Sequence, residues 1–227
     1  MSLETALLAQ LDAAKEAHVS QSSRPHASAS MALQCARAVG YKVAGVPEEG
    51  PATLQRSLAF SIGSFLHLKV QAALERLYAD FRPEVRWDHG AVTGRADGLY
   101  SDAGEVVTVE IKTVGTRVFE RAQLYGPKEE HRMQAALSAA AFASVRTHLI
   151  YIAKSDSDRP LQEWVEPVNV LAAKREEGRL ARIADAVMVG QSIPRRRLGK
   201  ALDPKEPGLF PCAWCGFRQR CMQEGEP

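Results

Sequence analysis

The sequence predicts an α/β fold, a mixed central sheet flanked by helices, with a helical or irregular cap. Three observations point there. Residues 91–113 contain two alternating apolar/polar segments joined by a turn. Around them the elements run helix, three strands, helix, strand, an order that suits a mixed sheet covered by helices. The four cysteines, Cys35, Cys212, Cys215 and Cys221, put three members near one end of the chain and one far upstream.

The elements follow in order. Leu3–Val19 is predicted to be an amphipathic helix, because Glu4 and Asp12 interrupt its apolar stretch and no basic leader precedes it, which argues against a signal peptide. A second helix is expected over Ser30–Val39. A third, over Leu58–Ala79, puts His67 on a stripe with Phe60, Val70, Leu74 and Leu77, the pattern of a core histidine. Strands are expected at Glu84–Trp87, Ala91–Tyr100 and Glu105–Thr113, with Ser101-Asp102-Ala103-Gly104 as the intervening turn. Lys128–Ser144 reads as a packed helix, its apolar run broken by Ser138 and Ser144. Strands Thr147–Ile152 and Leu161–Glu166 and a helix over Val168–Val189 complete the core. Ser192–Pro211, with Pro194, Pro204, Pro207 and Pro211, reads as irregular. No apolar run approaches the roughly 18 residues that span a bilayer. The 227 residues fit one domain, with a core at 55–190 and terminal segments at 1–40 and 190–227.

The hairpin carries the chemistry. Along Glu105–Thr113, Val107, Val109 and Ile111 alternate with Thr108, Glu110 and Lys112, so Glu110 and Lys112 share one face and the aliphatics the other. With a turn over residues 101–104, Tyr100 pairs with Glu105 and Asp97 with Thr108. Asp97 is then one diagonal step, roughly 7–8 Å, from Glu110. A loop one residue longer would send Asp97 to the opposite face. A phosphodiester resists attack because its oxygens are anionic and its leaving alkoxide is poor. A hard cation held by carboxylates offsets both and acidifies a bound water. Asp97 and Glu110, with the Ile111 carbonyl, supply such oxygens, and Lys112 can orient or deprotonate water or balance charge on phosphate. The alternative is an exposed hairpin bearing a Glu110–Lys112 salt bridge.

Cys212-Ala-Trp-Cys215-Gly-Phe-Arg-Gln-Arg-Cys221 with distant Cys35 suits a four-thiolate metal site, zinc or iron–sulfur, that ties the two ends of the domain together. Two disulfides and four free thiols are the other options, and nothing in the sequence suggests the secretion that disulfides would need. Trp214 and Phe217 would shield such a site. The net charge of +2 is uninformative, but Arg195, Arg196, Arg197, Lys200, Arg218 and Arg220 make the C-terminal part locally basic. That strip, and Arg117, Arg121, Lys128 and Arg132, are candidate contacts for a phosphate backbone.

Four blocks then fall in a familiar order: Gly63-Ser-Phe-Leu-His67, Gly94-Arg-Ala-Asp97, Glu110-Ile-Lys112, and Gln134 within His131-Arg-Met-Gln134-Ala-Ala-Leu. With the cysteine spacing, they make residues 28–221 resemble the PD-(D/E)XK nuclease superfamily. The branch is that of RecB-like iron–sulfur exonucleases, such as the CRISPR-associated "Cas four" enzymes and the AddB-type nuclease domain. The resemblance implies a restriction-endonuclease-like core closed by the four-cysteine cluster. It implies Mg2+ or Mn2+ held by His67, Asp97, Glu110 and the Ile111 carbonyl, with Lys112 catalytic and Gln134 positioning. It implies a [4Fe-4S] cluster on Cys35, Cys212, Cys215 and Cys221, with zinc as the alternative. The implied activity is exonucleolytic cleavage of single-stranded DNA or DNA ends in the cytoplasm of a bacterial, archaeal or phage-infected cell. CRISPR adaptation or recombination proteins are the implied partners. A catalytically inactive DNA-binding module with the same fold is the alternative. Two positions depart from the pattern: Ser138 stands where an aromatic is common, and Ala36-Arg37 follows Cys35 where a proline is common.

Overall fold

The computed structural model describes residues 26–50, 53–154, 160–193, 212 and 215–224. The expected helix at Leu3–Val19, the basic residues Arg195, Arg196, Arg197 and Lys200, and Trp214 lie outside them.

Among the described residues six strands form one mixed sheet: β1 (Ala27–Ser28), β2 (Arg82–Asp88), β3 (Val92–Asp102), β4 (Glu105–Val114), β5 (Arg146–Ala153) and β6 (Leu161–Pro167). The order is β1-β3-β4-β5-β6, with β2 on the other edge of β3; β1 on β3 and β4 on β5 are parallel, the rest antiparallel. The helices are α1 (Ala36–Val43), α2 (Leu54–Leu77), α3 (Thr116–Tyr125), α4 (Glu129–Ala141), α5 (Val170–Met188) and α6 (Arg218–Gln223). The mixed α/β architecture is the one expected.

β5 is buried along nearly its whole length, as a central strand must be, while β6 alternates along one edge. α2 covers one face, packing Leu74 with Leu66 and Val70 over Tyr100, Val107, Val109, Ile111, Ile150 and Ile152. The other face is closed by a core that joins Ala27, Val39, Trp87 and Val92 to Leu137 of α4 and Leu180 and Ile183 of α5. The run Ala135–Ala139 on α4 is small and buried, which lets this helix approach closely. Ser138 belongs to it: its hydroxyl accepts a hydrogen bond from the Trp87 indole at 3.2 Å, so Trp87 fills the space an aromatic at 138 would need. α5 begins at Asn169, whose side chain accepts the Ala172 amide.

Four expectations are corrected. The helix expected over Ser30–Val39 is a short 3-10 turn at Ala29–Met31 followed by α1. Leu33 between them adopts a left-handed backbone (φ 57°), and its amide is held by buried Glu176, so the chain wraps around that carboxylate instead of continuing helically. The hairpin turn is two residues, Ala103 and Gly104, both left-handed, and Asp102 faces Glu105. Tyr100 therefore pairs with Val107, not Glu105, and Leu99, not Asp97, faces Thr108. The slip is two residues, so facing is preserved and Asp97 comes level with Glu110. The α2 stripe is only partly a core stripe: Val70 and Leu74 pack on the sheet, but Phe60 and Leu77 are 57% and 73% exposed. α3 and β1 were not anticipated: α3 buries only Phe119 and Ala122, and β1 is two residues long.

Candidate active site

The site sits where the sheet forks. β3 pairs with β4 only from Gly98 to Asp102, and with β1 on that same edge only at Val92 and Thr93. Between them, residues 94–97 have no strand partner on that edge among the described residues. Asp97 enters the fork, and its Oδ2 accepts the Ile111 amide at 2.6 Å, doing for β4 what a strand carbonyl does elsewhere. Its main-chain carbonyl is held by buried Gln71 of α2 at 2.8 Å.

α2 brings His67 to the same place. Gly63, one turn earlier, makes the approach possible, because a Cβ there would lie 2.9 Å from the Thr113 hydroxyl on β4. His67 Nδ1 stands 3.7 Å from Asp97 Oδ1, beyond hydrogen-bond range. Lys112 Nζ lies 2.6 Å from Glu110 Oε1 and donates to Gln134 Oε1 at 2.9 Å. All five predicted side chains thus reach one fork. The exposed salt-bridged hairpin is excluded, since the Glu110 side chain is 1% and the Lys112 side chain 21% exposed.

The electrostatics follow from burial. Glu110 is pushed from 4.5 to about 7 by loss of solvent, with Lys112 pulling it down and Asp97 up. Asp97 rises to about 6 for the same reason, opposed by the Ile111 amide and Lys112. The Lys112 ammonium is held charged by Glu110 and Asp97 against its own desolvation. His67 is lowered by burial and by Lys112, which keeps its imidazole neutral and a competent ligand. Glu110 Oε2 is buried with no hydrogen-bond partner. An orphaned oxygen of this kind costs about 1–3 kcal/mol and marks the place a cation would complete. Among the described residues no three His, Cys, Asp or Glu side chains are already drawn into a closed metal-binding group. The donor set nevertheless suits a hard divalent ion: two carboxylates, one orphaned oxygen and a neutral imidazole.

Other groups meet here that sequence reasoning missed. His131 lies on α4 three residues before Gln134, is bonded to the hydroxyl of buried Tyr151, and is lowered to about 3 by burial, Lys112 and Lys128. Its i, i+3 spacing from Gln134 was the available signal. Glu84, level with Asp97 in the β2–β3 ladder, accepts from Gln71 at 2.7 Å and adopts φ 57°. No sequence pattern announces a left-handed glutamate inside a strand. Of the expected phosphate contacts, Arg132 is committed elsewhere, bonded in bidentate fashion to Glu166 at 2.8 Å twice. Arg117, Arg121 and Lys128 are exposed.

Among the described residues the four cysteines are not drawn into a metal-holding group. All four are present as thiols. Cys35 caps α1 and Cys221 lies on α6, whose amides at Gln219 and Arg220 are bound by Glu49 at 2.8 and 2.7 Å. The Arg37 guanidinium approaches Cys221 Sγ at 3.9 Å, and the Tyr41 and Phe217 rings pack at 5.2 Å. Burial raises the Cys215 thiol, and the Cys35, Cys212 and Cys221 thiols add to the rise.

The fold has solved counterparts. The crystal structure of SSO0001 is similar at TM-score 0.58 and 22% identity, over 96% of this chain and 94% of that one. An alkaline exonuclease, LHK-Exo from Laribacter hongkongensis, is similar at TM-score 0.56 and 15% identity, over 73% of this chain and 89% of its own. Its complex with dAMP gives 0.55 and 17% over the same shares. No family model matches the sequence, and no curated protein does. The chain therefore shares its fold with these structures, an alkaline exonuclease among them. Among the described residues no helix is long and apolar enough to cross a membrane.

Proposed function

We propose that this chain is a metal-dependent deoxyribonuclease, an exonuclease acting on single-stranded DNA or DNA ends. The observation that carries this reading is the buried, unpartnered Glu110 Oε2 beside Asp97, His67 and the Lys112 ammonium. A structural ion pair needs no spare carboxylate oxygen and no neutral imidazole at 3.7 Å. His67, Asp97, Glu110 and the Ile111 carbonyl would hold Mg2+ or Mn2+, which when bound supplies Lewis-acid stabilisation and an acidified water. Lys112, fixed by Gln134, directs its charged donor at the scissile phosphate and orients the attacking water. The likeness to an alkaline exonuclease, and to its dAMP complex, supports a nucleic-acid substrate.

The four free thiols are assigned to a [4Fe-4S] cluster joining residues 1–40 and 190–227 around the catalytic core at 55–190. The mutual influence of the sulfurs at Cys215 and the docking of α6 on Glu49 and Tyr41 support this. The ends that the enzyme trims would arise in CRISPR adaptation, recombination or phage DNA processing.

End-labelled single- and double-stranded DNA incubated with Mn2+ tests the assignment. The parent protein shortens the strand, and Asp97→Ala, Glu110→Ala and Lys112→Ala do not. Equal cleavage by all three variants refutes the site. Tight DNA binding with no turnover in any divalent metal assigns the fold to gripping DNA instead. Anaerobic purification tests the thiol assignment: acid-labile sulfide supports the cluster, and a colourless protein with stoichiometric zinc overturns it.

A further inference from the structure

Beside the fork, the β2–β3 ribbon holds two arginines that the site described so far does not use. Arg86 is directly opposite Arg95, and the next pair is Trp87 with Gly94. Trp87 is buried in the core, and its indole lies where a Cβ on Gly94 would have to go. Neighbouring residues on a strand point to opposite sides, so Arg86 and Arg95 project together from the far side of the ribbon, where both are exposed. Like charges directly opposite in an antiparallel pair are destabilising, with cross-strand pairs of this kind worth roughly 0.2–1 kcal/mol. Among the described residues the Arg86 side chain makes no hydrogen bond or ion pair, and the Arg95 side chain makes one ion pair, Nε to Glu84 Oε2 at 2.6 Å. The Arg95 side chain is 49% exposed, and its Nη groups take no part in that pair.

Arg95 is also tied to the fork. Glu84, which holds it, stands level with Asp97, and Gln71 donates to both Glu84 Oε1 and the Asp97 carbonyl. A left-handed non-glycine residue inside a strand costs about 1–3 kcal/mol, and here that conformation accompanies a carboxylate that fixes a guanidinium two residues from Asp97. Two residues of strand are about 7 Å. Two guanidiniums on one side of the ribbon, one without a counter-charge and one ion-paired with Glu84 through Nε, are complementary to a phosphate.

We propose that Arg86 and Arg95 form a phosphate-binding pair, steadied by Glu84, that grips the nucleic-acid backbone next to the phosphodiester being cut. This deepens the nuclease reading and rests on it. The pair sets the path of the strand out of the fork along β2 and β3, and it acts on binding without touching the reacting atoms.

The test compares Arg86→Ala, Arg95→Ala and the double variant with the parent protein. Fluorescent single-stranded DNA is titrated without divalent metal across KCl concentrations, and cleavage is followed with Mn2+. Each phosphate contact contributes about 0.7 to the slope of log affinity against log salt on single strands. The double variant should therefore lose about 1.4 of that slope, raise KM at least tenfold and keep kcat within twofold. Arg86→Lys with Arg95→Lys should restore most of the slope. The thermal midpoint of Arg86→Ala should be unchanged or higher, because a repulsion has been removed. An unaltered salt slope, or a fall in kcat with KM unchanged, overturns the proposal while leaving the nuclease reading intact if Asp97→Ala is inactive. A parent protein that neither binds nor cuts nucleic acid overturns both.

Discussion

Replacing Glu110 with glutamine should remove a pH dependence of stability from the metal-free protein. Glu110 is fully enclosed, and burial raises it from 4.5 to about 7. A folded-state pKa above the unfolded value means the native chain binds the proton more tightly. Stability is then fully present below about 4.5 and is lost as pH rises through 7. The rise from 4.5 to about 7 corresponds to about 3–4 kcal/mol, at roughly 1.4 kcal/mol per pH unit. For a chain of this length that is about 6–16 °C in the thermal midpoint, at about 2–4 °C per kcal/mol. Asp97, raised to about 6, acts in the same direction. The assay is thermal unfolding in EDTA at intervals from pH 5 to 8, parent against Glu110→Gln. The parent midpoint should fall with rising pH, and the variant, whose amide has no proton to lose, should show a clearly shallower fall. Saturating Mn2+ should raise the parent midpoint most at pH 8 and leave the variant nearly unmoved. Identical pH slopes in the two proteins would falsify the claim that a buried, proton-hungry carboxylate occupies the fork.

Because protons compete for the same carboxylates, Mn2+ affinity measured by calorimetry should climb between pH 5 and 8, by about tenfold per unit below the raised pKa for one displaced proton. A flat profile contradicts the shared site. Gly94→Ala should destabilise the fold by about 1–3 kcal/mol through overpacking against the Trp87 indole, and an unchanged urea midpoint would show that the indole yields freely. Gly63→Ala should keep the circular dichroism spectrum but reduce kcat by up to about 100-fold, since its Cβ pushes α2 and His67 away from Thr113; full activity would mean His67 has slack. Cys35→Ser should lower the thermal midpoint of anaerobically purified protein, because the proposed cluster would tie α1 to α6; parent-like stability argues against a bridging site.

Much of the site was legible because its logic is local. Alternation along residues 105–113 put Glu110 and Lys112 on one face whatever their surroundings, and Gly63, Asp97 and Gln134 could be placed from ordered motifs. The two-residue error in the hairpin register did no harm, since strand facing repeats every two residues. The segment around Leu33 failed for a non-local reason: its amide is recruited by Glu176, 143 positions away, and the helical pattern gives way to that bond.

What the chain's order alone determined was a set of chemical types at fixed periods: carboxylates and an amine on one strand face, a histidine one helical turn past a glycine, and thiols in C-x2-C-x5-C spacing. The tertiary structure decided that Glu110 is enclosed with an oxygen to spare, that Glu84 turns left-handed toward Gln71, and that Arg86 meets Arg95 across a ribbon. Those outcomes depend on where β3 parts from β4 and on what α2 and α4 exclude from water. Desolvation and cross-strand register arise only between segments distant in the chain, so no local pattern encodes them.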